Sequence, residues 1–262
     1  MEAGEGALKF ADATSTVLDA IEEEMTSVVS RLESVEAAAQ ATAVLLFETF
    51  PETTVLARVF VTVPFADLPA PDQAFVRRLA GPRAPQLLKP NTPVLSLAGT
   101  RGVRPEWNRR EDSAGHRGIP LVSMEFVESI PMISRLLKEL GARLEWAQGL
   151  DTTVVTASLG SVAGLFYVED AREALDPHGR RIITGEDFVR EHGVRTVFGF
   201  GGAYAMAGTW LATVVFTRET IARREVERFL RLASAFKSAT MRLVRDGAIF
   251  SSPRLTAPGA RR

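Results

Sequence analysis

The first fifty residues carry the most regular hydrophobic pattern in the chain. Apolar side chains recur at alternating intervals of three and four, at Leu18, Ile21, Met25, Val28, Leu32, Val35 and Ala39. This spacing places side chains along one stripe of an α-helix, and it persists for three heptads. Pro51 ends the run. The pattern predicts one long helix within residues 1–50, which either packs on its own domain or pairs with a second subunit.

The pattern then changes repeatedly between strand and helix. Alternating β-branched residues predict strands at 53–64, 92–100, 164–168, 194–200 and 209–216. Helices are predicted at 70–80, at 124–140 with Pro131 inside the span, at 186–191, and from about 218 to 245. This order favours one α/β domain of the α+β kind, with an antiparallel sheet flanked by long N- and C-terminal helices. A doubly wound parallel sheet would need a regular alternation of strands and helices, which is absent.

The last predicted helix repeats the spacing of the first. Its stripe consists of Phe229, Leu232, Phe236, Ala239 and Leu243. Two such stripes suggest a homodimer that pairs through Leu18, Ile21, Met25, Val28, Leu32, Phe229, Leu232 and Phe236, and the alternative is that both cover the sheet of one subunit. The resulting organisation is a helix at 1–50, a domain at 51–246 and a disordered tail at 247–262.

Composition excludes several classes of protein. The net charge of −1 provides no general attraction to nucleic acid or anionic lipid. The absence of cysteine rules out disulfides, thiolate nucleophiles and cysteine-bound metals. No apolar run approaches the roughly 18 residues of a membrane span, and the N-terminus lacks the layout of a signal peptide. We expect a cytoplasmic protein with neither a nucleic-acid nor a membrane partner.

The C-terminal third resembles a GAF domain. The resemblance lies in FVREHGVRTVFGFGGAYAMAGTWLATVVFTRETIARREVERFLRLASAFKSAT (188–240), and LARVFVTVPF (56–65) suits the start of the same fold. The segment 99–141 is similar to the sensory region ahead of kinase modules in some bacterial hybrid sensor kinases. The resemblance implies a GAF/PAS-like sheet and a sensory role, with output delivered to a partner such as a kinase or regulator. The chain lacks the cyclic-nucleotide signature, and it lacks the cysteines that covalent bilin attachment and free-methionine-sulfoxide reduction require.

The densest polar cluster lies at residues 101–118. Its arginines could clamp an anionic small molecule over the sheet, because guanidinium groups bind carboxylates and phosphates through paired hydrogen bonds. The alternative is a solvated loop whose own acids neutralise those arginines. The candidate ligand-binding residues are Trp107, Asn108, Arg109, His116, Arg117, Phe198, Phe200, Gly201 and Tyr204.

Other chemistry finds little support in the sequence. His116, His178 and His192 match no metal-binding motif, although His116 or His192 could serve as the axial ligand of a haem. Asp112, Ser113 and His116 have the residue types of a hydrolytic triad without the Gly-x-Ser-x-Gly motif. The glycines at 199–208 fail the dinucleotide pattern, because Tyr204 occupies the third glycine position. We therefore expect no catalytic residues, no metal site and no enzymatic activity.

Together these patterns lead to one functional expectation and two alternatives. The expectation is a small-molecule-binding, GAF-like sensory module that regulates a partner protein. The first alternative is a non-enzymatic scaffold of the same fold whose pocket is filled by side chains, and the second is an uncharacterised enzyme. A sensor predicts a cavity lined by residues from 101–118 and 194–210, whereas a scaffold predicts that this space is filled.

Overall fold

The computed structural model describes residues 7–141, 163–205 and 208–251. The helices are α1 (Ser15–Val29), α2 (Val35–Thr49), α3 (Ala70–Ala80), α4 (Ala84–Leu87), α5 (Met124–Glu128), α6 (Pro131–Glu139), α7 (Glu186–Glu191), α8 (Arg223–Glu227) and α9 (Leu230–Arg245). The strands are β1 (Thr54–Pro64), β2 (Pro93–Gly102), β3 (Gly118–Pro120), β4 (Gly164–Val168), β5 (Val197–Ala203) and β6 (Trp210–Thr217). The predicted apolar segment N-terminal to β4 and most of the predicted tail lie outside the described residues.

The six strands form one antiparallel sheet in the order β3-β2-β1-β6-β5-β4. The central strand β1 pairs with β2 on one side and with β6 on the other. Apart from Arg58 and two threonines, its side chains are apolar on both faces, as expected for a strand covered on both sides. Strands β5 and β6, which follow each other along the chain, also pair antiparallel. The expected α+β architecture with an antiparallel sheet is therefore confirmed.

One face of the sheet is covered by α1, α2 and α9. The side chains of Phe10, Phe50, Phe198 and Phe229 meet there, with ring centroids 4.0–6.0 Å apart. Helix α2 lies very close to β2, and a Cβ atom at Gly99 would come within 2.3 Å of the Ala39 backbone. Glycine at this position therefore permits the close approach. We call this the helical face. The opposite face carries α5, α6, α7 and the loop 103–117, and we call it the loop face.

The prediction of one continuous N-terminal helix is wrong. Helix α1 ends at Val29 and α2 begins at Val35, with Ser34 as its N-cap, accepting a hydrogen bond from the Ala37 amide at 3.1 Å. A cap residue takes an extended backbone that a continuous helix cannot contain. The 3,4 spacing ran across this break because both helices direct apolar residues to the same core.

The proposed dimer seam is also corrected by the structure. Leu18, Ile21 and Met25 are only 1–4% exposed within the subunit's own core. Phe229, Leu232 and Phe236 are likewise at most 2% exposed. These six side chains are not available to a second subunit. Of the remaining two, Leu32 is half-buried against the same core, whereas Val28 is 41% exposed.

The C-terminal part differs from its prediction in two ways. The expected helix from 218 to 245 is divided into α8 and α9. The expected tail begins too early, because residues 248–251 are bonded to the start of α2. The amides of Val35 and Glu36 donate to the carbonyls of Ala248 and Ile249 at 2.9 and 2.8 Å. In the described part of the chain, no helix is both long and apolar enough to cross a membrane.

Candidate functional site

The loop 103–117 closes over the loop face between β2 and β3. It contains two short 3₁₀ turns, Pro105–Trp107 and Arg110–Asp112. The Asn108 side-chain oxygen accepts from the Gly102 amide at 2.9 Å, and the Thr100 hydroxyl donates to the Trp107 carbonyl at 2.8 Å. These bonds fold the start of the loop back onto the end of β2. Asn108, expected to touch a ligand, therefore acts first as a loop anchor.

Trp107 packs the loop against α7 on the same face of the sheet. Its ring lies edge-on to Phe188 and His192, with centroids 5.5 and 4.9 Å away. The Arg104 guanidinium lies 5.8 Å from the Trp107 centroid. Both aromatic partners belong to α7 or its C-terminal cap. The contacts make Trp107 and His192 part of the packing between the loop and α7.

A buried ion network anchors the second half of the loop. Asp72, at the start of α3, is fully buried and binds both Arg110 (2.8 Å) and Arg117. Arg110 also binds Glu36, in the first turn of α2. Two guanidinium groups thus meet two carboxylates, so the network is neutral. Burial opposes the charge on Arg110, but Asp72 and Glu36 outweigh it and raise the pKa of Arg110.

The same network reaches the C-terminal segment. The second oxygen of Glu36 accepts from the Ser251 amide at 2.8 Å, and the Arg110 guanidinium lies 4.8 Å from the Phe250 ring centroid. Burial alone would raise the pKa of Glu36, but the bonds from Ser251 and Arg110 outweigh burial and lower it. The loop, the start of α2 and the residues after α9 therefore share one carboxylate.

Arg58 is the residue that sequence reasoning missed. It lies in the middle of β1, where Ala57 and Val59 face the helical core and Arg58 faces the loop side. Its Nη2 is 3.5 Å from the Ser113 hydroxyl, a long contact, and its Nε is buried without an acceptor. Within the described ranges, no carboxylate forms an ion pair with it. Burial lowers the pKa of Arg58 to about 10.

His116 lies in the electrostatic field of Arg58. Burial, and then the positive charge of Arg58, lower the pKa of His116 to about 4. The imidazole is consequently neutral at pH 7, when it can both donate and accept a hydrogen bond. A neutral histidine, a serine hydroxyl and an uncompensated guanidinium thus lie together under the loop. This arrangement suits an anionic ligand, because Arg58 attracts it and, among the described residues, no carboxylate pairs with Arg58.

The structure brings together only part of the predicted site. Phe198, Phe200 and Tyr204 are buried on the helical face, where the Tyr204 hydroxyl bonds Thr240 at 2.8 Å. A ligand on the loop face cannot touch them, so their assignment to the same pocket is wrong. Strand residues alternate between faces, so Phe198 and Phe200 share one face of β5, but alternation alone does not show which face the loop covers.

The remaining predicted residues serve strand packing or lie beside acidic side chains. Gly201 lies on the loop face by alternation, and a Cβ atom there would meet the Leu211 carbonyl oxygen at 2.0 Å, so glycine permits the close β5–β6 approach. Arg109 is 72% exposed and lies 3.9 Å from both Glu111 and Asp112. Arg117 is occupied by Asp72. Of the predicted ligand-binding residues, only His116 lies beside the uncompensated charge.

Other recesses are less suited to a specific ligand. A groove of about 590 Å³ runs along α6 to the turn that carries His178. Another, of about 440 Å³, is lined by arginines at 172, 181, 190 and 195, but the first three already have acidic partners. Among the residues the structure describes, no three acidic or histidine side chains cluster as a metal site.

No protein-family model matches the chain, and no curated protein matches its sequence. The structure is similar to free methionine-R-sulfoxide reductase from Neisseria meningitidis in complex with its substrate, at 12% identity and a TM-score of 0.48, covering 92% of this chain and 96% of that one. It is also similar to the phycoerythrobilin-bound GAF domain of a cyanobacterial phytochrome, at 10% identity and 0.46, covering 87% and 97%.

A third similar structure is the chromophore-binding domain of a bacteriophytochrome from R. palustris, at 7% identity and a TM-score of 0.40, covering 88% of this chain and 64% of that one. At these identities and TM-scores below 0.5, the likenesses carry no information on which ligand or reaction this chain handles.

Proposed function

We propose that the chain is a GAF-like sensory domain that binds a small molecule under the loop 103–117 and regulates a partner protein. The observation that carries this proposal is Arg58, a charged side chain on an apolar sheet face that forms no ion pair among the described residues and whose Nε is buried without an acceptor there. Buried charges are normally paired, because an unpaired charge loses its hydration without replacement. Such an exception at a covered face is typical of a binding site.

The network around Glu36 supports a regulatory role. The loop that covers the site is bonded through Arg110 to the carboxylate that also holds Ser251. A ligand that shifts the loop would therefore act on the contact between α2 and the residues after α9. Such a shift needs only a difference in ligand affinity between two arrangements of the loop. The C-terminal segment is the route by which we propose that a partner senses occupancy.

Native mass spectrometry of the purified full chain tests the binding function. We expect a co-purified small mass in the wild type and its loss in Arg58→Gln, while Arg109→Gln, a surface change in the same loop, retains it. An absorbance spectrum of the same sample tests for haem, because a tetrapyrrole absorbs visible light. The native mass spectrum also gives the oligomeric state. A dimer would have to use surfaces other than the buried apolar stripes of the N- and C-terminal helices.

The scaffold alternative makes the opposite prediction. A scaffold would be ligand-free, and the ring resonances of its His116 would not shift when the low-molecular-mass fraction of a cell lysate is added. Both results together would refute the sensory proposal. A mass retained equally by the wild type and Arg58→Gln would place the ligand elsewhere on the chain.

A further inference from the structure

We infer that the molecule bound under the loop carries a carboxylate, and that Arg58 binds it through the Nε–Nη2 edge of its guanidinium. This inference rests on the proposed function, and it adds the chemical class of the ligand and the atoms that recognise it. It concerns a residue on the central strand, whereas the arginines that the sequence singled out all lie in the loop.

One edge of the Arg58 guanidinium has unused hydrogen-bonding capacity. The Nε–H bond and one Nη2–H bond lie in the guanidinium plane and point in parallel from one edge, so together they match the two oxygens of a carboxylate. In the structure Nε has no acceptor, and Nη2 has only the Ser113 hydroxyl at 3.5 Å. An edge with both donors underused is the arrangement that a bidentate acceptor completes. The Ser113 hydroxyl would then be free to donate to the same acceptor.

The site around Arg58 can balance a single negative charge. Arg58 supplies one positive charge, and His116 is neutral at pH 7 because burial and Arg58 lower its pKa to about 4. A carboxylate brings one negative charge and leaves the site neutral. A phosphate monoester carries about −1.5 to −2 at this pH and would leave a buried excess. Charge balance therefore favours the carboxylate.

Arg58 differs from three arginines of the covering loop in having no acidic partner among the described residues. Arg110 and Arg117 are held by Asp72 and Glu36, and Arg109 faces solvent beside two acids. All three already have an anion, so none has a reason to bind a further one. Arg58 is the exception, and its contact with the covering loop is the long one to the Ser113 hydroxyl at 3.5 Å.

The test is an anion titration of the full chain observed by NMR. Sodium acetate and sodium benzoate are added at constant ionic strength, with chloride as the replaced anion, while the Arg58 Nε–H and His116 ring resonances are recorded. Benzamide, which has the ring of benzoate without its charge, and inorganic phosphate serve as comparison probes. We expect acetate or benzoate to shift both resonances, benzamide to shift neither, and phosphate to bind more weakly.

Three variants define the residue. Arg58→Gln should weaken carboxylate binding roughly 10- to 100-fold, the loss expected for a charge-assisted pair of hydrogen bonds. Arg58→Lys keeps the charge without the planar edge and should fall between Gln and wild type, and it also serves if Arg58→Gln does not fold. Arg109→Gln is the matched surface control and should bind as the wild type does.

The outcomes separate this inference from the proposed function. If the wild type retains a co-purified molecule while neither carboxylate shifts Arg58, the carboxylate assignment is wrong and the sensory proposal stands. Phosphate binding more tightly than both carboxylates would also overturn the assignment. If no molecule co-purifies, the lysate fraction causes no shift and no anion reaches Arg58, both proposals fail.

Discussion

Arg110 lies in the loop 103–117, and Arg58 lies on β1 in contact with the same loop. The two arginines have opposite surroundings. Arg110 is 6% exposed and is bonded to Asp72 and Glu36, with Arg117 completing a neutral group of four charges. Arg58 is half-buried beside a neutral histidine and a serine, without an acid among the described residues. The comparison teaches that charge compensation, more than burial or residue type, separates an arginine that holds the fold from one that awaits a partner.

The largest expected effect comes from breaking the compensated group. Asp72→Ala removes the carboxylate shared by Arg110 and Arg117 and leaves two enclosed guanidinium groups with only Glu36. The loss of one member of a buried pair typically destabilises by about 3–5 kcal/mol. We expect the free energy of unfolding in urea to fall by this amount. A loss below about 1 kcal/mol would mean that the network contributes little, and the contrast with Arg58 would disappear.

Acidification tests the uncompensated side through His116. Its pKa is about 4 in the folded chain and about 6.5 when unfolded. The unfolded state therefore binds more protons between these values, so stability rises from pH 4 to 6.5 and is lost as pH falls through that window. Since solvent reaches part of the ring, we expect a change of about 2 kcal/mol. Urea unfolding from pH 4 to 7 should show this slope, and His116→Gln should flatten it.

Replacing both arginines by methionine gives the most direct comparison. Arg58→Met removes a charge that has no acidic partner among the described residues and adds apolar surface to an apolar face, so we expect stability to rise by about 1 kcal/mol. Arg110→Met leaves Asp72 and Glu36 without their shared cation and should destabilise. The two Tm shifts should therefore have opposite signs. Destabilisation by Arg58→Met would show that this arginine is structural.

The smallest effect is expected at the exposed arginine of the loop. Arg109→Gln removes a side chain that is 72% exposed and lies at the distance limit from two acids. Exposed ion pairs of this kind contribute little, so stability should change by less than about 0.5 kcal/mol. Thermal unfolding of this variant is the reference against which both buried arginines are measured. A larger loss would indicate a loop held together by its own surface charges.

Much of the local structure followed from the sequence. The alternation in 53–64 predicted β1, and Pro131, inside the single helix predicted at 124–140, lies where the structure divides that helix into α5 and α6. The N-terminal helix was predicted too long, because the 3,4 spacing is the same whether one helix or two successive helices face the core. Ser34 was the available signal for the break, since serine is a favoured N-cap.

The site was harder to predict than the fold. The sequence directed attention to the loop's arginines because they are close together along the chain, and Arg58 stood alone in a strand that otherwise read as apolar. A single charged residue at an inward position of β1 was the signal, and its meaning depended on which neighbours it would meet. The aromatic residues of β5 were assigned to the wrong face for the same reason, since the sequence shows alternation without showing which face the loop covers.

What the sequence determined by itself was therefore periodic and local: five of the six described strands, most of the helices, the turn residues and the absence of cysteine chemistry. What only the tertiary structure decided was compensation between distant charges. Glu36, Asp72 and Arg110 are separated by tens of residues and meet because the sheet brings α2, α3 and the loop to one edge. Electrostatic interaction depends on distance through space and on exclusion of water, so no pattern along the chain could separate Arg110, which is satisfied, from Arg58, which is not.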